Sequence, residues 1–287
     1  MDISDFRTII ALVEKGSISE AAQSLGRVPS AITTRLQNIE SELGNTLFIK
    51  ENRRFIPTST CKVLYENALQ IVRLVSSAEQ QATHALPGGT LRLGALDSMA
   101  ATRLPTPLTL LYKRHREIAI ELVTGISSTL YRSILDYELD AAFIADAPHD
   151  ERLERFPAFD EKLVIVTASG YHSIASPLDL IEETLLVFQD GCSYRDRLTS
   201  WFRHHQVNPH RIAVMSSYHA ILGGVSGGMG IGVIPESLFD TFHISGCVDI
   251  HPFETAFSQI TTELIWRKEN STANTRALID VLKEQPR

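Results

Sequence analysis

Apolar positions divide the chain into three kinds of stretch. Ile3, Phe6, Ile9, Ile10 and Val13 recur at helical spacing, and Gly16 follows as a stop. Ser17 to Glu20 (SISE) reads as a capping box. The Ser17 hydroxyl is expected to take the Glu20 amide proton while the Glu20 carboxylate reaches back to the Ser17 amide. A short helix through Ala21, Ala22 and Leu25 ends at Gly26. The next helix has Pro29 in its first turn, where a missing N–H costs nothing, although Val28 is a poor cap in front of it. Its stripe Ile32, Leu36, Ile39 and Leu43 faces inward. The outer face carries Ser30, Thr34, Gln37 and Ser41, flanked by Thr33 and Arg35. Helix, short helix, turn and helix is the plan of a helix-turn-helix.

Leu47 to Thr58 then reads as a β-hairpin with Lys50, Arg53 and Arg54 near its tip. A long helix is expected from about Ser59 to Ala85. Along it Leu64, Ala68, Ile71, Val75, Ala78 and Ala82 repeat at heptad spacing, a seam for which a second chain is the expected cover. LPGG (86–89) breaks it as a hinge. Beyond Gly89, strands alternate with helices. TLRLGAL, AIELVTG, LDAAFIA, KLVIVTA, TLLVFQ, RIAVMS, GIGVIP and TTELIWR read as strands, and helices fall near 101–114, 129–137, 194–205, 218–225 and 274–284. That order predicts parallel α/β sheets, and about 200 residues suit two small lobes with ligands beyond the carboxyl ends of the strands.

Charge sharpens this division. The net −7 belongs to the α/β part, because residues 1–89 hold nine Lys+Arg against nine Asp+Glu. The first part is thus the relatively basic one, and local patches must decide its partner. No apolar run approaches ~18 residues. Asp2, Asp5, Glu14 and Glu20 argue against a leader, and three cysteines show no metal-ligand spacing. We therefore expect a soluble cytoplasmic protein without a membrane span.

Catalytic motifs are decoys here. GVSGG (224–228) matches a serine-hydrolase elbow, but the helix precedes and the strand follows, the reverse of what the elbow needs. His204, His205 and His210 cluster, yet adjacent helical residues point about 100° apart and no Cys or acidic residue completes a set, so no metal is expected. Cys192 starts a helix, where a structural thiol is expected over a redox-sensitive one. The helix of the Arg27–Glu40 stretch differs because its surroundings complete it. Short hydroxyl and amide side chains let a helix approach base edges, Arg35 supplies charge, and the hairpin cations reach phosphates. A carboxylate on that face would be repelled by DNA.

Three blocks in the first sixty residues, GSISEAAQSLG, RVPSAITTRLQNIESELG and LFIKENRRFIPT, with LDAAFIA and GGMGIGVIPESLF later, resemble the LysR-type transcriptional regulators along the whole chain. The resemblance implies a mainly α N-terminal winged helix-turn-helix (1–58), a dimerising linker helix and hinge (59–89), and a two-lobed α/β effector domain like a periplasmic binding protein (90–287). Lobe I is expected at about 90–162 and 266–287, and lobe II at about 163–265. It further implies a homodimer or homotetramer, double-stranded DNA with pseudo-palindromic sites, RNA polymerase at the promoter, a small-molecule effector and no cofactor. Cys61, Pro57 and Thr33 replace the family's usual Gly, Leu and Ser, and Val28-Pro29 replaces a Ser-Gln pair that supplies a base contact. RVPSAITTRL, GCSYR and SSYHAIL look closest to a subgroup that includes a regulator of putrescine and 4-aminobutyrate catabolism. The DNA-contacting candidates are Arg27, Ser30, Thr33, Thr34, Arg35, Gln37, Lys50, Arg53 and Arg54.

In the effector domain, Ser98, Ser127, Ser128, Ser193 and Tyr194 sit where strands end and helices begin, and the two-lobed plan brings them to one cleft. Helix N-termini and hydroxyls suit a small anion, or a zwitterion whose amine meets Asp97 or Asp146. Met99, Thr124, Phe188 and Tyr218 flank the same ends. Two alternatives stand beside the regulator: a small-molecule-binding module with no DNA role, and an α/β enzyme with Ser226 or Cys192 as nucleophile, for which no acid–base constellation can be assembled.

Overall fold

The structure, a computed structural model, describes residues 1–51, 54–82, 86–242, 246 and 248–285. The chain forms two compact units, residues 1–84 and 85–287. In the first, α1 (Ile3–Lys15), α2 (Ile18–Ser24) and α3 (Pro29–Leu43) are followed by a hairpin, β1 (Phe48–Glu51) with β2 (Arg54–Pro57), and by α4 (Ser59–Ala82). Ile9, Leu12, Ala21, Ala22, Ile32, Leu36, Ile39 and Leu47 form its core. The full capping box lies at Asp2 and Asp5 of α1. At α2, Ser17 accepts from the Glu20 amide at 3.2 Å, and the return bond expected from Glu20 is not found among the described residues.

The second unit is built on two sheets that share one strand. β3 (Gly89–Ala95), β4 (Ile118–Thr124) and β5 (Ala141–Ala145) are parallel neighbours, and β11 (Gln259–Arg267) joins β5 to the first part of β6 (Leu153–Ala168). From Leu163 onward β6 instead pairs antiparallel with β9 (Gly232–Pro235) and β10 (Val248–Pro252). The parallel pair β7 (Thr184–Val187) and β8 (Arg211–Val214) joins β9 through a bridge between Leu185 and Ile231. Gly230 makes this approach possible, since a Cβ there would collide with the Thr184 carbonyl. Helices α5 (Asp97–Thr102), α6 (Pro105–Arg114), α7 (Ser127–Leu135) and α12 (Ala273–Lys283) belong to the first lobe. Helices α8 (Ser193–His204), α9 (Tyr218–Ser226), α10 (Leu238–Phe242) and α11 (Thr255–Ser258) follow lobe II strands.

Three expectations need correction. The sheets are mixed rather than parallel, because β6 and β11 return antiparallel to their neighbours. The helix near 101–114 is two helices, broken where Pro105 cannot continue α5 and instead opens α6. The second lobe crossing falls near Gln259 rather than at 265/266, because all of β11 pairs within the first sheet.

Candidate DNA-binding face and ligand cleft

Pro29 opens α3 behind Val28, which gives no side-chain cap, and Gly44 in a left-handed conformation (φ 63°) closes it. With Ile32, Leu36 and Ile39 buried, a rotation of 100° per residue places Ser30, Thr34, Gln37 and Ser41 within about 60° of one another. All four are exposed, as is Asn38 beside them. The face holds no acid. Thr33 is turned away: it is half-buried, and its hydroxyl donates to the Pro29 carbonyl at 3.0 Å.

Arg35 is not a free DNA-facing cation. Its Nη1 donates to Asp5 Oδ1 at 2.7 Å and to Asp2 Oδ1 at 3.0 Å. Those carboxylates also cap α1, so Arg35 fastens the middle of α3 to the start of α1. Sequence spacing could not show this, because the partners lie some thirty residues away. Arg27 is exposed and lines, with Ser30, Thr34 and Arg7, a concavity of about 810 Å³ between α1 and α3. No motif marks Arg7. The hairpin is held firmly. Glu40 accepts the Leu47 amide at 2.6 Å, and the Phe55 amide donates to the Gly16 carbonyl at 2.9 Å. Lys50 and Arg54 are exposed on it, and Arg53 lies outside the described residues.

The α4 seam divides in two. Ala68 is fully buried and Leu64 packs on the core of its own unit, so this end is already covered by α1 and its neighbours. Farther along, Ile71 and Val75 are half-buried and Ala78 is exposed, while the Ala82 side chain lies outside the described residues.

A cleft of about 340 Å³ opens beyond the ends of β3, β4 and β7. Asp97, Thr124, Ser127, Phe188, Ser193, Tyr194 and Tyr218 line it, as do Gln189, Ser216 and Ser217, which the sequence reading missed. The N-termini of α7, α8 and α9 converge there. Ile126 and Cys192, the caps of α7 and α8, make no side-chain bond, whereas Ser217 caps α9. Among the described residues that line the cleft, Asp97 is the one charged side chain.

Several candidate hydroxyls are spent inside the wall. Ser193 Oγ lies 2.7 Å from both Ser127 Oγ and the Ala145 carbonyl. Its hydroxyl donates toward both, one proton serving either acceptor at a time, and the pair ties α7 of one lobe to α8 of the other. Ser98 is buried behind Tyr194, with its hydroxyl 3.4 Å from the phenol, and Met99 is core. Burial pushes the Tyr194 and Tyr218 phenols well above their ordinary range, so both remain neutral. Phe188 meets Tyr218 edge to face at 4.9 Å. Ser128 faces an adjoining hollow, and its amide donates to the Gly191 carbonyl.

Asp146 is already engaged by a cation. Arg197 of α8 grips both its oxygens at 2.7 Å, a bidentate bond that occupies the carboxylate. Cys192 is buried, and burial pushes its thiol up, which suits a structural role. Ser226 is exposed at the end of α9 with β9 after it, so the hydrolase-elbow geometry is absent.

A winged helix-turn-helix unit followed by a two-lobed α/β domain with a cleft between its sheets defines a ligand-responsive class of bacterial transcriptional regulator. Residues 3–62 match the family described as bacterial regulatory helix-turn-helix protein, lysR family, and residues 84–287 match the LysR substrate binding domain. The chain belongs to the LysR family of transcriptional regulators. It is 36% identical over 271 residues to the uncharacterized HTH-type transcriptional regulator YusT of Bacillus subtilis (strain 168), covering 94% of this chain and 91% of that protein. To the HTH-type transcriptional regulator SoxR of Arthrobacter sp. (strain TE1826) it is 31% identical over 290 residues, covering 100% and 98%. The crystal structure of full-length CbnR complexed with its target DNA shares the fold at a TM-score of 0.70 and 19% identity, covering 99% of each chain. Among the described residues, no helix is long and apolar enough to cross a membrane.

Proposed function

We propose that this regulator changes its DNA binding or promoter activation when a small zwitterionic metabolite settles between the two lobes. The observation that carries this reading is the cleft lining. One carboxylate, Asp97, shares about 340 Å³ with three helix N-termini and no cationic side chain. The helix ends favour a carboxylate, and Asp97 favours an amine. Tyr194, Tyr218, Ser216 and Gln189 add neutral hydrogen-bonding groups. An ω-amino acid such as 4-aminobutyrate has this chemistry, in keeping with the subgroup likeness of GCSYR and SSYHAIL.

Calorimetry on the full-length chain with 4-aminobutyrate, butyrate and butylamine tests the reading. The zwitterion is expected to bind best, and Asp97→Asn to reduce its affinity at least tenfold while sparing DNA binding. Equal affinity for butyrate and 4-aminobutyrate, unchanged by Asp97→Asn, would remove the amine site.

On DNA, we assign base contacts to Ser30, Thr34 and Gln37, and phosphate contacts to Arg7, Arg27, Lys50, Arg53 and Arg54. The half-covered stretch of α4 around Ile71 and Val75 supports a homodimer, alone or within a tetramer, which meets a pseudo-palindromic site. RNA polymerase is the further partner at the promoter. Ile71→Asp would bury an unpaired charge at a cost of several kcal/mol and is expected to yield monomers by light scattering. A dimer surviving that change would move the contact away from α4.

A further inference from the structure

One exposed cluster lies outside both the cleft and the DNA-facing helix. His204 ends α8, His205 is its C-cap, and Glu254 directly precedes α11. One ligand atom from each of the three lies within 4.8 Å of the other two. The acidic partner that adjacent residues do not offer is thus supplied from fifty residues away. His205 leaves the helical repeat as the cap, and the two imidazole rings stand 5.3 Å apart, centre to centre.

We propose that His204, His205 and Glu254 form a surface site for a divalent transition cation of the Zn²⁺ class. Two imidazoles and one carboxylate suit a borderline metal, with water completing a four-coordinate shell. Bonds of about 2.0–2.2 Å to Zn²⁺ place tetrahedral ligand atoms about 3.3 Å apart. His205 Nε2 and Glu254 Oε2 already stand 2.9 Å apart, so exposed side chains need only small rotations.

The surroundings orient these ligands. The Trp201 indole N–H donates to Glu254 Oε2 at 2.8 Å, and Trp201 is itself buried edge-on against Phe253 at 5.3 Å. Such an outer hydrogen bond orients a ligating carboxylate. His204 rests against Phe257 at 5.7 Å. The C-terminal end of α8, a twelve-residue helix, favours positive charge. Arg197, Trp201 and His205, four residues apart along α8, all hold the segment 254–259, where the chain crosses from one lobe to the other. A cation would therefore clamp α8 to that crossing.

The test uses full-length protein stripped of metal by a chelator. Calorimetry with Zn²⁺ alone is expected to show one ion per chain, with His204→Ala and Glu254→Gln each weakening it at least tenfold. Co²⁺ in place of Zn²⁺ is expected to give ligand-field bands of a nitrogen and oxygen set without thiolate charge transfer. Glu254→Gln keeps an oxygen that can accept from Trp201, and each variant is compared with wild type by circular dichroism and melting without metal; Zn²⁺ should raise the melting temperature in the wild type only. Equal Zn²⁺ affinity in wild type and the His204→Ala/His205→Ala double variant would overturn the site, as would a thiolate spectrum, which would transfer binding to cysteine.

Discussion

The outer face of α3 and the wall of the cleft are made of the same small hydroxyl residues, with opposite fates. On α3, Ser30, Thr34 and Ser41 are exposed and free to meet another molecule. In the cleft, Ser98, Ser127 and Ser193 are buried and bonded to Tyr194, to each other and to the Ala145 carbonyl. A short hydroxyl thus contributes recognition when exposed and internal cohesion when buried, and residue type alone does not decide which. In the proposed function the ligand chemistry of the cleft falls instead to Asp97, the phenols, Ser216, Gln189 and the helix ends.

The largest expected effect lies on the exposed side. Thr34→Asp puts a carboxylate on the face proposed to meet DNA and should weaken operator binding roughly a hundredfold or more, about 3 kcal/mol. Its melting temperature should barely change, since exposed substitutions stay within about 0.5 kcal/mol. Gel-shift titration together with a thermal melt measures both, and operator binding at wild-type strength would mean that another face of the unit meets DNA.

Ser193→Ala is the counterpart on the buried side. It strands the Ser127 hydroxyl and the Ala145 carbonyl, at a cost of about 1–3 kcal/mol. The melting temperature should fall while operator affinity of the folded protein holds. An unaltered melt would show that the tie between α7 and α8 carries no stability.

The smallest effect concerns pH. The Asp5 and Ser4 amides, with Arg35 beside them, hold the Asp2 carboxyl below the usual aspartate range. Asp2 therefore contributes stability above the unfolded aspartate pKa of about 3.9, and loses it as pH falls through the lowered folded value. The melting difference between wild type and Asp2→Ala should be present at pH 7 and shrink in acid. A constant difference would assign the effect to something other than the charged cap.

Legibility in the sequence followed distance along the chain. Pro29 opens α3 in the structure as in the pattern, and the Ile32–Leu36–Ile39 stripe is its buried face. These are local signals of a helix period and its caps. Only the second half of β6 could be read as a strand. Its first half, LERFPAFDE, includes Pro157 and charged residues, and pairing with β11 from a hundred residues away holds it extended. Arg35 read as a DNA contact for the same reason, since Asp2 and Asp5 are distant in sequence and adjacent in space. Asp146 has a ligand group's place in the local pattern, and Arg197, 51 residues on, occupies it. At each of these sites a long-range partner overrode what the local pattern proposed.

The sixteen-residue strand β6 spans about 50 Å at the usual rise per residue and belongs to both sheets, changing partners between Lys162 and Leu163. Mechanically it is an axle common to two leaves. A lobe that swings to enclose a ligand cannot slide past the other, because the sheets are continuous through that backbone and only twist or bend about the shared strand is cheap. Any swing of one lobe against the other would have to pass through this backbone.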